Sequence, residues 1–354
     1  MDHHVYCPAL ASLFLLVVLG VRLTTAGAGN EWSYEGEHGP THWHAVYPTC
    51  GGEKQSPVHI ETHKVFVDHK LTAFEMDGYD QIKNLNMSLT NNGHTVQVDL
   101  VGLQPRLRGG GLSHDYQAAQ FHFHWGATDD RGSEHALNNK RYPMEMHIVH
   151  HSTRYTGVKD AMDKSEGLKV LGFFFEIGEE NVEFEKIISH FKEIAHKDDH
   201  VEIEATPLRS LLPADLSTYY RYLGSLTTPP CYETVIWTVF KETIKVSKRQ
   251  LEIFRHEVKQ NLPTEPDIEL TDDFRPIQPL NHRNIYTSNI NGRTQQLPPV
   301  SNPLNSGAVL NVSILYVLCC LSLLDPHTGR FHVIDLPELT VISLCVQEIE
   351  EAFE

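Results

Sequence analysis

Residues Gln120 to Gly126 read QFHFHWG, and this heptad constrains the chain more than any other stretch. On a β-strand, successive side chains point to opposite faces. Gln120, His122 and His124 then share one face, while Phe121, Phe123 and Trp125 share the other and pack into apolar core. Two imidazoles at i, i+2 on one strand face can both reach a single metal ion. Glu145 to His150, EMHIVH, alternates again and puts Glu145, His147 and Val149 on one face. Turn-rich sequence lies between the two segments: DDRG at 129–132 and NNK at 138–140. The strands can therefore pair as an antiparallel hairpin and bring His147 opposite the first two histidines. Three neutral histidines with no fourth protein ligand describe a catalytic zinc site that keeps one open position. Gln120 and Glu145 each stand two residues before a histidine on the same face. Each is placed to accept a ring N–H and so fix the tautomer. His150, one register off, faces the other way and reads as structural.

Composition narrows the partners. The 354 residues suit one large domain or two small ones. A hydrophobic fraction of 40% and a charged fraction of 21% indicate a globular chain. The formal net charge is −17, from 46 acidic against 29 basic residues. Nucleic acid is a poor partner for that surface, and so is an anionic membrane reached through basic residues. The histidine count of 23 directs attention to metal and proton chemistry.

The chain opens like an exported protein. Leu10 to Val21 is an apolar run, and Ala26-Gly27-Ala28 offers a small-x-small cleavage site, so residues 1–28 read as a signal peptide. Cys50 and Cys231 are then the two cysteines of the body and are most simply one disulfide. It would close a loop of about 180 residues, worth roughly 4–5 kcal/mol on a chain-entropy account. Asn86-Met87-Ser88 is a glycosylation sequon.

Residues 30–290 form one evenly composed domain. Thr95–Leu100, Val170–Ile177 and Thr234–Phe240 read as strands between Gly, Pro and Asn turns. Val182–Ala195 reads as a helix with Phe184, Ile187, Ile188, Phe191 and Ala195 on one face. Ser247–Lys259 reads as a second, opened by a Ser247–Gln250 capping box. The expectation is a β-rich α+β domain with peripheral helices. Residues 291–306 form a polar, Pro-rich linker, and 307–324 an uncharged apolar run. Residues 325–354 form an acidic tail expected to hold little fixed structure. The apolar run is long enough to span a bilayer barely, so a transmembrane helix, a GPI signal or neither all stay open.

Together the motifs resemble those of an extracellular α-class carbonic anhydrase. The resemblance runs from Trp32 to about Ile285. It is carried by GPTHWH at 39–44, QSPV at 55–58, NNGH at 91–94, QFHFHWG at 120–126, GSEH at 132–135, EMHIVH at 145–150, SLTTPP at 225–230 and RPIQPL at 275–280. It implies a large, twisted, mostly antiparallel sheet of about ten strands with Zn2+ in a conical cleft. It assigns the metal to His122, His124 and His147, the residues that strand alternation had already selected. Water bound to zinc in this class has a pKa of about 7, a property of the class rather than a result for this chain. The implied reaction is reversible hydration of CO2 to bicarbonate.

Further roles follow from the resemblance residue by residue. Thr227 would accept a hydrogen bond from the nucleophile and donate its own proton to Glu134, which orients the reacting lone pair. Thr228 would contact bicarbonate and anionic or sulfonamide inhibitors. Val149, Val170, Leu226, Val235 and Trp237 would line an apolar CO2 pocket. His94 would shuttle the proton, with a free imidazole pKa of about 6.5 suited to the task. Tyr34, Asn92 and Gln97 would order the intervening waters. The resemblance also implies a cis bond between Pro229 and Pro230. Asp273 stands where Asn is common, a change that removes no ligand.

Two other functions compete. One is a catalytically weak binding module on the same fold, which the retained histidines, Thr227, Glu134 and His94 disfavour. The other is a different zinc hydrolase, but no HExxH occurs and the ligand spacing belongs to strands rather than a helix. The localisation expected is extracellular, with 307–324 as a candidate surface anchor.

Overall fold

A computed structural model describes residues 32–288. The signal-like segment, the linker, the apolar run and the acidic tail lie outside the described residues. Among the described residues, no helix is long and apolar enough to cross a membrane.

Alternating sequence builds the main sheet. Its strands are β1 (Phe66–Val67), β2 (Leu85–Asn91), β3 (Val96–Gly102), β4 (Tyr116–Trp125), β5 (Met144–Ser152), β6 (Leu168–Ile177), β7 (His200–Ile203), β8 (Tyr219–Gly224), β9 (Val235–Val246) and β10 (Tyr286–Thr287). They lie in the order β7-β2-β3-β4-β5-β6-β9-β8-β10-β1. Two short strands, Phe74–Asp77 and Arg106–Gly109, pair beside this path and bring the sheet to twelve. Most neighbours are antiparallel; β6–β9 and β10–β1 are parallel. The mostly antiparallel sheet expected from the sequence is thus observed.

β4, β5 and β6 occupy the centre. β5 is buried along its whole length, because the sheet is covered on both faces there. One face carries an apolar cluster containing Phe121, Phe123, Trp125, Met146, Leu171 and Phe173. The other carries Val149, Val170, Phe174, Val235 and Trp237. Neighbouring residues of one strand feed opposite clusters, as the pleat requires. β4 contains a bulge between Ala118 and Gln120. Ala119 and Gln120 are both half-buried there, so the in-out pattern resets just before the histidines.

Two helices close the first face: α1 (Val182–Ile188) and α2 (Lys248–Glu257). Ser247 caps α2 through the expected box: its Oγ accepts from the Gln250 N–H at 3.2 Å, and Gln250 Oε1 accepts from the Ser247 N–H at 3.1 Å. Leu251, Phe254 and Val258 of this segment are buried. The single helix expected over Val182–Ala195 is instead α1, a turn, and a 3-10 segment at Phe191–Ile194. Ser189 Oγ bonds the Lys186 carbonyl, and His190 N–H bonds Ile187 at i−3. Three residues per turn then continue the buried stripe as Ile188, Phe191 and Ile194, so Ile194 takes the place expected for Ala195.

Candidate active site

The hairpin pairing places the three histidines together. His122 on β4 lies directly opposite His147 on β5, and His124 lies opposite Glu145. The His122 ring centroid is 5.1 Å from that of His124 and 5.3 Å from that of His147. One ligand nitrogen from each ring lies within 4.8 Å of the other two.

Each ring has its second nitrogen engaged. His122 Nδ1 meets Gln120 Oε1 at 2.9 Å, and His147 Nε2 meets Glu145 Oε1 at 2.8 Å. Both pairings match the sequence reading. His124 Nδ1 meets the backbone oxygen of Asp273 at 2.7 Å, a partner the sequence did not disclose. These acceptors require the N–H to sit on the outer nitrogen. Lone pairs of His122 Nε2, His124 Nε2 and His147 Nδ1 therefore face inward. His124 Nε2 and His147 Nδ1 approach to 3.1 Å with no proton between them in that tautomer. Tetrahedral zinc sets ligand nitrogens about 3.3–3.4 Å apart, so the donor set fits Zn2+ and needs only a small outward relaxation. Burial, then the neighbouring His124 and His147, holds His122 well below the usual imidazole range; burial also lowers His124. Both rings are thereby kept neutral, the state a metal requires.

Behind His147 lies a buried chain that the sequence reading missed. Glu145 Oε1 also meets His135 Nδ1 at 2.7 Å, and Oε2 accepts the His135 backbone N–H at 2.8 Å. His135 Nε2 meets the Tyr222 hydroxyl at 2.7 Å, and Tyr222 donates to Ser56 Oγ at 2.9 Å. Burial by itself would raise the Glu145 carboxyl, but the His135 and His147 imidazoles bring it well below the carboxylate range. Gly172 lies beside His147 on β6; a Cβ there would sit 3.1 Å from Glu145 Oε1, tighter than ordinary contact. His135, Glu145 and His147 could also hold an ion, but their atoms are already joined as donors and acceptors. The only local signal for His135 was its place after Glu134 in the GSEH segment.

Glu134 is completely buried. Its Oε1 accepts the Arg275 backbone N–H at 2.9 Å. Its Oε2 has no hydrogen-bond partner and lies 3.6 Å from His124 Nε2 and 3.9 Å from His147 Nδ1. The carboxylate is turned to the inward-facing nitrogens of His124 and His147, and the hydrogen bond expected from Thr227 is not formed in this geometry. Thr227 is buried and Thr228 half-buried in the loop after β8. Backbone bonds from Leu226 to Tyr232 and from Cys231 to Thr228 close that loop. The Cys50–Cys231 disulfide anchors it, with Cα atoms 4.9 Å apart. Pro229–Pro230 is cis as expected, and Ser56–Pro57 is cis as well. Arg275 ties the same region together. It donates to Gln55 Oε1 at 2.7 Å, to Ser56 O at 2.9 Å and to Cys50 O at 2.9 Å.

Val149, Val170, Val235 and Trp237 are buried in one apolar cluster, with Leu226 packed against it. Val170 pairs with Val149 on one side and Trp237 on the other. His94 sits on the turn after β2. Asn92 Oδ1 accepts the N–H groups of His94 and Thr95, each at 2.9 Å, and Gly93 takes φ +80° between them. The His94 ring stacks on Trp32 with centroids 3.9 Å apart. Gln97 lies opposite His122 and donates to Asp99 Oδ1 at 2.8 Å. The half-buried Tyr34 hydroxyl is pushed well up by burial, then by Glu134 and Asp273. Asp273 Oδ1 accepts the Trp125 N–H at 2.6 Å, so the side chain and the backbone oxygen of Asp273 hold adjacent residues of β4. His150 is buried on the other face and bonds Tyr79, the structural place expected for it. Asn86 is exposed on β2.

Known proteins share this arrangement of sequence. The family model for eukaryotic-type carbonic anhydrase matches residues 38–289. Carbonic anhydrase 12 of Homo sapiens is 37% identical over 283 residues, 78% of this chain and 79% of that protein. Carbonic anhydrase 15 of Mus musculus is 38% identical over 286 residues, 78% of this chain and 87% of that one. Carbonic anhydrase 4 of Oryctolagus cuniculus is 38% identical over 295 residues, 81% of this chain and 93% of that one. A match across so much of the chain, on a twelve-stranded sheet with three convergent histidines, places it in the eukaryotic-type carbonic anhydrase family.

Proposed function

We propose that the protein catalyses zinc-dependent, reversible hydration of CO2 to bicarbonate and a proton. The observation that carries this reading is the inward convergence of three imidazole nitrogens, each ring oriented by its own acceptor. His122, His124 and His147 would hold the ion. When bound, zinc would supply a nucleophile at neutral pH by acidifying water. The chain's own residues do the rest. Val149, Val170, Leu226, Val235 and Trp237 offer CO2 an apolar wall and exclude competing water. Thr227 orients the attacking lone pair, and Glu134 Oε2, buried without a partner, is the acceptor its hydroxyl would need. Thr228 receives the bicarbonate oxygen and, by the same chemistry, small anions and sulfonamides. His94 takes the proton away through waters ordered by Tyr34, Asn92 and Gln97.

The disulfide supports an oxidising, extracytoplasmic location. The exposed Asn86 supports attachment of a glycan there. Residues 307–324 are the candidate for attachment at the cell surface.

The test is CO2 hydration before and after zinc removal. A chelator is expected to abolish it and added zinc to restore it. His122→Ala is expected to leave the protein folded, with a zinc content near zero and no hydration above background. Hydration that persists after verified loss of zinc would overturn the reading.

A further inference from the structure

The sheet face turned away from the histidines holds a second polar cluster. Lys169 alternates with Val170 on β6, so its side chain enters that opposite face. It is fully buried. Its Nζ donates to the Ile236 carbonyl at 3.0 Å and to Thr238 Oγ1. Arg221 on β8 donates from Nε to the same Thr238 oxygen at 2.8 Å, and from Nη2 to the Gly110 carbonyl at 3.1 Å. Arg221 is only 8% exposed. Among the described residues neither side chain is ion-paired with a carboxylate. Asp68, Tyr116 and Tyr219 influence Arg221 from a distance, and His150 neighbours Lys169 across β5.

Two cationic side chains therefore converge on one hydroxyl. A buried charge with no counter-charge is costly, and arginine cannot shed its proton. Lysine can. Burial first, and Arg221 second, push the Lys169 amine well below the ordinary lysine range. That direction favours the neutral amine, whose lone pair would stand beside the permanent cation of Arg221. The ring of Phe74 lies over both side chains. Lys169 Nζ and the Arg221 guanidinium carbon lie 5.9 and 5.8 Å from the Phe74 centroid. Phe74 also lines a cavity of about 480 Å³ with Ala73, Met76, Tyr79 and Leu216. Its mostly apolar wall suits entry of an apolar gas.

We propose that Lys169 is a carbamylation site, where CO2 adds to the amine and Arg221 holds the carbamate. The nitrogen lone pair forms the N–C bond, and one C=O π pair moves onto oxygen. One N–H proton leaves to water, so Lys–NH2 and CO2 give Lys–NH–COO⁻ and H⁺. No oxidant or metal takes part. The product replaces an unpartnered cation with a charge-assisted pair of the arginine–carboxylate kind. The site draws on dissolved CO2 and does not depend on turnover at the histidines.

The test uses the zinc-loaded full chain equilibrated with ¹³C-labelled bicarbonate and CO2. Carbon NMR is expected to show a carbamate resonance distinct from those of CO2 and bicarbonate. The resonance should vanish in Lys169→Met and fall at least about tenfold in Arg221→Met at the same CO2. CO2 should also raise the melting midpoint of the parent more than that of Lys169→Met, since a ligand that binds only the folded state stabilises it. Lys169→Met removes a buried amine in favour of an apolar chain of similar length, and its melting curve shows whether it folds. A parent protein with no carbamate resonance at saturating CO2 overturns the proposal without recourse to any variant. A resonance unchanged in folded Lys169→Met overturns it equally.

Discussion

His94 stands on a turn rather than a strand, and its neighbours decide what it can do. Asn92 shapes the turn with its side-chain oxygen, and Trp32 stacks on the ring. The half-buried ring is thereby held in place within reach of water. That placement supports the proposed role of His94 in carrying the proton to solvent. His94→Ala is expected to slow CO2 hydration in dilute buffer by about tenfold or more, with added imidazole restoring much of the rate. Zinc content should not change. Equal rates for parent and variant in weak buffer would remove His94 from proton transfer. At this scale the sequence was most legible where alternation applies. Gln120 and Glu145 could be assigned to their histidines because two residues along a strand is a fixed direction. The partner of His124 could not, since it is a backbone oxygen 149 residues away, and any residue type supplies one. His135 and Tyr222 escaped for a similar reason: their contact spans 87 residues.

Elements are joined by contacts whose worth depends on exposure. Glu176, near the end of β6, bonds Lys140 and, at 2.6 Å, Lys245 on β9. Its hydrogen bonds with Lys140 and then Lys245 bring its carboxyl down to about 2. A depressed carboxyl stabilises the fold above its unfolded pKa of about 4.3, and that contribution is lost as pH falls through the folded value. Glu176→Gln is therefore expected to lower stability at pH 7 by about 1 kcal/mol, the modest size normal for exposed pairs. The gap between parent and variant should narrow from pH 5 toward pH 2 and shrink in high salt, as denaturant unfolding would show. A gap that widens in acid would contradict the assignment. Element boundaries were harder to read than element types. The capping box located α2 because Ser247 and Gln250 satisfy each other's backbone N–H groups locally. The break after α1 was hidden because its 3-10 continuation keeps apolar residues on the core side. The bulge at Ala118–Gln120 was hidden too, because neither alanine nor glutamine marks one.

The whole molecule depends on joining distant segments around the central strands. Alternation reveals which face a residue takes, but not which strand lies beside it. The parallel pairing of β6 with β9 thus had no sequence signature, although both strands were legible. Cysteine was the exception, since two body cysteines leave one pairing. The bridge joins residues 181 apart and holds the Thr227–Pro230 loop to the N-terminal segment. Non-covalent contacts follow the same route. Gln55 donates to the carbonyls of Thr49 and Cys231 at 3.0 and 3.2 Å, and Arg275 binds Gln55 and the Cys50 carbonyl. Reduction frees the denatured chain to explore a far larger loop, so stability should fall by about 2–5 kcal/mol. The histidines lie on β4 and β5, strands the bridge does not touch, so zinc should remain bound. The Thr227 loop loses its covalent anchor and keeps only its hydrogen bonds. Activity should therefore decline before zinc is released, and the melting midpoint should drop. Verified reduction that leaves melting and activity unchanged would show that Gln55 and Arg275 hold the loop without the disulfide. Zinc loss in step with activity would show instead that the sheet's centre depends on the bridge.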